Sequence, residues 1–389
     1  MTAPMATAIS SLRNYTPSRQ TVGFWLLAVA LLIAAMVTVG GLTRLTGSGL
    51  SITEWDPIMG VVPPLSDPAW QAAFAKYQHI PQYQLQNRGM SLGAFKAIYW
   101  WEWSHRLLGR LLGVVFFLPF LFFAFTGAIP RTGLPRMVLL FALGGLQGFV
   151  GWWMVESGLE TRVSVSQYRL AVHLGVAIIL FGAILWTAFE YLRGSYLSPP
   201  VYGEGAEQQR GEAGTLRAAS PPASPVNGGR KITVGAYLLV TLVYLQMLLG
   251  ALVAGLHAGL IYNTWPSMDG RVFPEHPFIA NPWWINFFEN PGLAQFDHRI
   301  GAYVIAIAVI GLWIAERRAK LEGLARASSH MLLFVVLLQI LLGITTLVTQ
   351  APVALAAVHQ AAAAALFATA VWHAYEVSRS RVPHSAAKA

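Results

Sequence analysis

Eight apolar stretches recur along the 389-residue chain, each close to the roughly 20 residues that a helix needs to cross a bilayer. They lie near 22–43, 105–127, 136–155, 169–192, 233–256, 298–316, 330–349 and 354–376. Inside lipid each backbone N–H and C=O must be satisfied within its own segment or in a closed barrel, so runs of this length dictate helices. Composition agrees, since only 11% of residues are charged where a soluble domain has about 25%. The expected fold is an all-α membrane protein of eight transmembrane helices. The sequence contains no cysteine, which excludes disulfides, iron–sulfur clusters and thiolate zinc sites. Any metal must be held by His, Met, Tyr or carboxylate.

Between the fourth and fifth runs lies Gly203 to Gly229, rich in Gly, Pro, Ser, Ala and Glu and without a core of its own. It predicts two four-helix halves, 22–192 and 233–378, joined by a linker at 193–232 and flanked by a segment at 1–21 and a tail at 379–389. Basic residues assign the sides. The segments on the side of the termini and linker carry 16 Lys and Arg, and the opposite segments carry 7, leaving out Arg106, Arg110 and Arg299 at helix starts. The positive-inside rule then places both termini and the linker in the cytoplasm and makes 45–104 and 257–297 the long outer loops. The net charge of +9 reflects these cytoplasmic loops, and lipid rather than nucleic acid is the expected partner. The first apolar run is too long for a cleavable signal and is expected to remain as a span.

The two halves repeat one another. Trp55-Asp56-Pro57-Ile58-Met59-Gly60-Val61-Val62-Pro63 recurs as Trp265-Pro266-Ser267-Met268-Asp269-Gly270-Arg271-Val272-Phe273-Pro274. Gln147-x-x-x-Gly151 matches Gln339-x-x-x-Gly343, and Gln246-x-x-x-Gly250 repeats the pattern once more. Above all, His105-Arg106 and Ala171-Val172-His173 in the first half correspond to His298-Arg299 and Ala357-Val358-His359 in the second. Each His-Arg is expected to open a helix, and each Val-His to open the helix two further on. All four imidazoles then lie near the outer face. The expected architecture is two duplicated four-helix bundles.

Imidazoles inside a membrane are costly and tend to serve a function. Two of them on facing helices of a bundle can hold a six-coordinate haem iron, and two such pairs can hold two haems side by side. Zinc fits less well, because each half offers only two obvious nitrogen ligands. Stacked haems across the bilayer would need a second helix matching the 14-residue spacing of His359 and His373, and none of the segments with the other ligands has it. His257, His330, His373, His79, His276 and His384 are therefore read as structural or exposed.

Arg106 and Arg299 are placed to pair with haem propionates, against the plainer reading of interfacial anchors. Glu102 precedes His105 by three residues and shares its helical face. The matching residue of the second half is Gln295, which cannot act as a general base. The first half therefore reads as chemically competent and the second as an electron-transfer copy. Glu54 is read either as lining the same pocket or as a loop surface residue.

At Glu102-Trp103-Ser104-His105-Arg106-Leu107-Leu108-Gly109-Arg110, together with Gly40-Gly41-Leu42-Thr43-Arg44-Leu45-Thr46-Gly47-Ser48-Gly49-Leu50-Ser51, the chain resembles the haem A synthase family. The resemblance runs from about residue 20 to 378, apart from the linker, and points to the cysteine-free group of proteobacteria and mitochondria. It implies oxidation of the C8 methyl of haem O to the formyl of haem A, with water as the oxygen source, for cytochrome oxidase. It implies haem O or haem A on His105 and His173, a resident haem b on His298 and His359 that carries electrons away, and Glu102 as the essential carboxylate. A bacterial plasma membrane is expected in preference to the mitochondrial inner membrane. Haem O synthase, oxidase assembly factors and a second copy of the chain are the candidate partners. The rival readings are a dihaem b-type electron carrier or quinol dehydrogenase, and a haem-transport protein.

Overall fold

A computed structural model describes residues 18–56, 58–160, 162–193 and 227–380, with the backbone alone given for 227–229. The expected linker lies outside the described residues from 194 to 226, as do 1–17 and 381–389. Among the described residues, eight helices are long and apolar enough to span a membrane. They are α1 (Arg19–Leu45), α2 (Leu92–Phe125), α3 (Leu134–Glu156), α4 (Gln167–Leu192), α5 (Asn227–Gly255), α6 (Pro291–Arg318), α7 (Gly323–Val348) and α8 (Val353–Arg379). The protein is an all-helical, multi-pass membrane protein. Large apolar side chains such as Leu31, Ile307 and Phe334 point outward, as they must when the solvent is lipid.

Two helices start well before the hydropathy suggested. The Ser91 side chain caps α2 by accepting from the Ala94 amide, and Asn290 caps α6 by accepting from the amides of Gly292 and Leu293. Both satisfy amides that the first helical turn leaves without partners. Residues 92–104 form a helical extension rather than part of the expected outer loop. Phe95 and Tyr99 on this extension are buried against Trp70, Phe74 and Tyr77 of a short loop helix, Asp67–Gln78. His105 and His298 consequently lie inside their helices instead of opening them. Likewise α5 begins at Asn227, earlier than a linker ending at 232 implied.

Within the first half α1 packs on α2 and α4, and α3 packs on α2 and α4. Within the second, α5 packs on α6 and α8, and α7 packs on α6 and α8. In each case the two histidine-bearing helices occupy opposite corners. The halves meet through α1, α4, α5 and α8. Close approach here depends on small residues, the usual device where lipid removes the hydrophobic drive between helices. A Cβ on Gly182 would stand 3.0 Å from the Phe367 ring, and one on Gly175 2.9 Å from the Tyr244 hydroxyl. Gln360 on α8 donates 2.7 Å to the Val37 carbonyl of α1 and fills the space left by Gly41. At the far end from the long loops, Arg193 pairs with Glu376 at 2.6 Å, and Arg136 pairs with Glu190.

Candidate functional site

All four expected ligands lie towards the end of the bundle that carries the long loops, one to two turns into α4, α6 and α8 and beyond the extension of α2. His105 and His173 lie within electrostatic reach of each other, and so do His298 and His359. Each ring rests on a glycine of the preceding helix. A Cβ at Gly40 would stand 2.8 Å from His105 Cε1, at Gly151 2.9 Å from His173, at Gly250 3.2 Å from His298 and at Gly343 3.0 Å from His359. The first two distances are shorter than real Cβ contacts show and the other two are tighter than most, so glycine makes room for each imidazole. The sequence offered a signal for this in the recurring Gln-x-x-x-Gly, but spacing along one helix does not reveal which neighbour the glycine faces.

The donor set suits haem. His105 Nδ1 and His359 Nδ1 are buried without a hydrogen-bond partner among the described residues, so neither atom is committed to a neighbouring side chain. Among the described residues no group of three or more His, Cys, Asp or Glu is arranged to hold a metal ion.

Glu102 is buried, 3% exposed, and its carboxylate is fully engaged. Ser51 Oγ and the Ile52 amide each donate to Oε2 at 2.7 Å. Arg106 donates to Oε1 through Nε at 3.1 Å and Nη2 at 2.6 Å. Arg106 in turn donates to the carbonyls of Ile52 and Glu54, both at 2.7 Å. The pair thus clasps the segment after α1 against α2. Sequence reading missed Ser51 and Ile52 as the partners of Glu102, because nothing local links positions 50 residues apart.

The second half repeats the clasp with different chemistry. Gln295 donates to the carbonyls of Ala258 at 3.0 Å and Tyr262 at 3.1 Å and accepts from Arg299 at 3.3 Å. Arg299 also donates to the carbonyls of Tyr262 and Ser267, while its Nε is buried without a hydrogen-bond partner among the described residues. Glu54 is exposed and pairs with Lys76 at 2.7 Å, a surface position. Beside α5, burial and the Arg44 guanidinium hold His257 below the usual imidazole range.

One polar cluster escaped the sequence. His373 is 1% exposed and contacts Glu316 at 2.8 Å and Ser328 at 3.0 Å. Ser329 donates to the same Glu316 carboxylate. His373 therefore has partners in α6 and α7, in keeping with a structural role.

Residues 23–371 match the COX15-CtaA family, described as cytochrome oxidase assembly proteins. The heme A synthase of Parvibaculum lavamentivorans is 44% identical over 371 residues, covering 95% of this chain and 98% of that relative. That of Azorhizobium caulinodans is 48% identical over 368 residues, covering 94% and 96%. That of Nitrosomonas eutropha is 42% identical over 361 residues, covering 92% and 94%. Agreement of this extent, over the very helices that bring the paired histidines together, makes the chain a member of the COX15-CtaA, haem A synthase family.

Proposed function

We propose that the protein is a haem A synthase, an oxidoreductase that converts the C8 methyl of haem O to the formyl of haem A with oxygen taken from water. The observation that carries this reading is the pairing of four half-buried imidazoles across two sets of helices, each ring lodged against a glycine, in a chain so similar to heme A synthases. His105 and His173 hold the substrate haem in the half formed by 22–192. His298 and His359 hold haem b in the half formed by 233–378, and when bound that haem supplies a path for electrons leaving the substrate. The excess of basic residues on one side supports cytoplasmic termini, so that both haem sites lie towards the outer face.

Glu102 lies one turn before His105 on the same helix. Its four acceptor positions are filled by Arg106, Ser51 and Ile52, so it takes up a proton from the reaction only when one donor yields. The Ser51 hydroxyl is the donor best able to do so, since a hydroxyl can turn and relay a proton. Arg106 is largely committed to the clasp, whereas the unpartnered Nε of Arg299 is suited to a haem propionate. Haem extraction from the purified protein tests the reading. Haem A or hydroxylated haem O beside haem b supports it, and haem b alone would make the protein a dihaem electron carrier.

A further inference from the structure

Arg44 stands on α1 one turn beyond Gly40, towards the end of the bundle that carries the long loops. Residues four apart share a helical face, so Arg44 faces the same way as the glycine that makes room for the His105 ring. Its side chain is half-buried. Among the described residues it makes no hydrogen bond or ion pair, and no carboxylate offsets its removal from water. The titratable group within its electrostatic reach is His257 at the end of α5, an imidazole that cannot neutralise it. The neighbouring guanidinium groups of this half are engaged. Arg106 holds Glu102 and the carbonyls of Ile52 and Glu54, and Arg110 donates 2.7 Å to the Asp56 carbonyl.

A cation withdrawn from water without a counter-charge is costly, and in a membrane helix it marks a binding site. The missing partner is an anion that reaches α1 beside His105. His105 and His173 lie on opposite corners of the first half. An iron held from opposite corners turns the edges of its ring towards the other two helices, α1 and α3. The duplicated half supplies a control. Gly250 seats His298 as Gly40 seats His105, and four residues beyond Gly250 stands Ala254. The second half thus has no cation at this position, whereas its Arg299 keeps a buried Nε without a partner among the described residues. We propose that Arg44 binds a propionate of the haem held by His105 and His173, in the place that Arg106 gives up to the clasp. The planar fork of a guanidinium matches a carboxylate. This inference rests on the proposed assignment of ligands and substrate half.

The test uses the full-length protein purified with haem b in place, titrated with ferric protohaem and with its dimethyl ester, which has no propionate charge. Wild type should bind the ester more weakly than the free acid. Arg44→Ala should shrink that ratio about 10–100-fold, the worth of a hydrogen bond to a charged group, by weakening the acid and sparing the ester. Arg44→Lys keeps the charge but loses the fork, and should fall between. The resident low-spin haem b spectrum reports folding in each sample and should persist. Equal weakening of acid and ester in Arg44→Ala would make the residue a packing element and overturn the inference. Wild type that does not distinguish acid from ester would overturn it too, and would leave a lipid phosphate as the anion at Arg44. So would loss of haem b in Arg44→Ala with binding of the added haem unchanged. If His105→Ala then abolishes the low-spin signal of the added haem, the ligand assignment stands and only the role of Arg44 falls. If His105→Ala keeps that signal, the assignment and the inference fall together.

Discussion

Replacing Glu102 with Gln exchanges one oxygen for an NH2 group, at a carboxylate that receives donors on both sides. An amide can offer its oxygen to Arg106 or to Ser51 and Ile52, but not to both. Keeping Arg106 satisfied turns the NH2 group towards Ser51, whose hydroxyl can rotate to accept, and towards the Ile52 amide, which cannot. One buried N–H without an acceptor costs about 1–3 kcal/mol. Loss of the negative charge beside Arg106, which is itself 14% exposed, adds to that. The ceiling is the roughly 3–5 kcal/mol expected when one member of a buried pair is removed outright, as in Glu102→Ala. The reciprocal change, Gln295→Glu, should also destabilise, because a carboxylate would face the carbonyls of Ala258 and Tyr262 and lose both of its donated bonds. Thermal unfolding in detergent, followed by tryptophan fluorescence, measures these effects, and haem analysis of the same samples measures product. We expect Glu102→Gln to melt below wild type, to keep haem b and to make little haem A. An unchanged melting point for Glu102→Gln, or a raised one for Gln295→Glu, would refute the loop-complementarity argument. A lowered melting point with normal haem A yield would show that Glu102 is a clasp and takes no part in the chemistry.

Other expectations follow from the same geometry. A reporter inserted within 205–225 should read cytoplasmic and one within 66–90 external, and the reverse pattern would invert the two faces. Gly343→Ala should displace the His359 ring and deplete haem b, whereas Gly144→Ala, whose Cβ meets nothing within 4 Å, should leave the spectrum unchanged; equal spectra for both would remove the seat argument. His373→Ala strands Glu316 and should lower stability by about 3–5 kcal/mol while the low-spin haem signal persists, and loss of that signal on a folded protein would make His373 a ligand.

The eight spans were legible because hydropathy over some 20 residues reports directly on the lipid solvent. The four histidines stood out because duplication supplies an internal control that a single imidazole lacks, and the structure sets each ring against a glycine of the preceding helix. The start of α2 was not, since residues 92–104 owe their helicity to the Ser91 cap and to packing beneath Trp70 and Phe74, which no local hydropathy encodes. Glu316 and His373 were opaque for a related reason. Each taken alone is a polar residue near a helix end, and only the fold brings them within 2.8 Å.

Where the two halves of the sequence differ is more informative than where they agree. At the clasp, Glu102 faces donors from Ser51 and Ile52, and Gln295 faces acceptors from Ala258 and Tyr262. At the ring seats, three helices carry Gln ahead of the glycine and α1 carries Met36. Both departures bear on His105: one stands a turn before it on α2, and the other lies against its neighbour Gly109 from α1. Random drift between two copies would scatter such differences over four equivalent sites. Their concentration around His105 accords with the proposal that the first half carries the chemistry and the second does not. A scaffold that keeps the remaining three seats alike can change around His105 without altering how the helices pack.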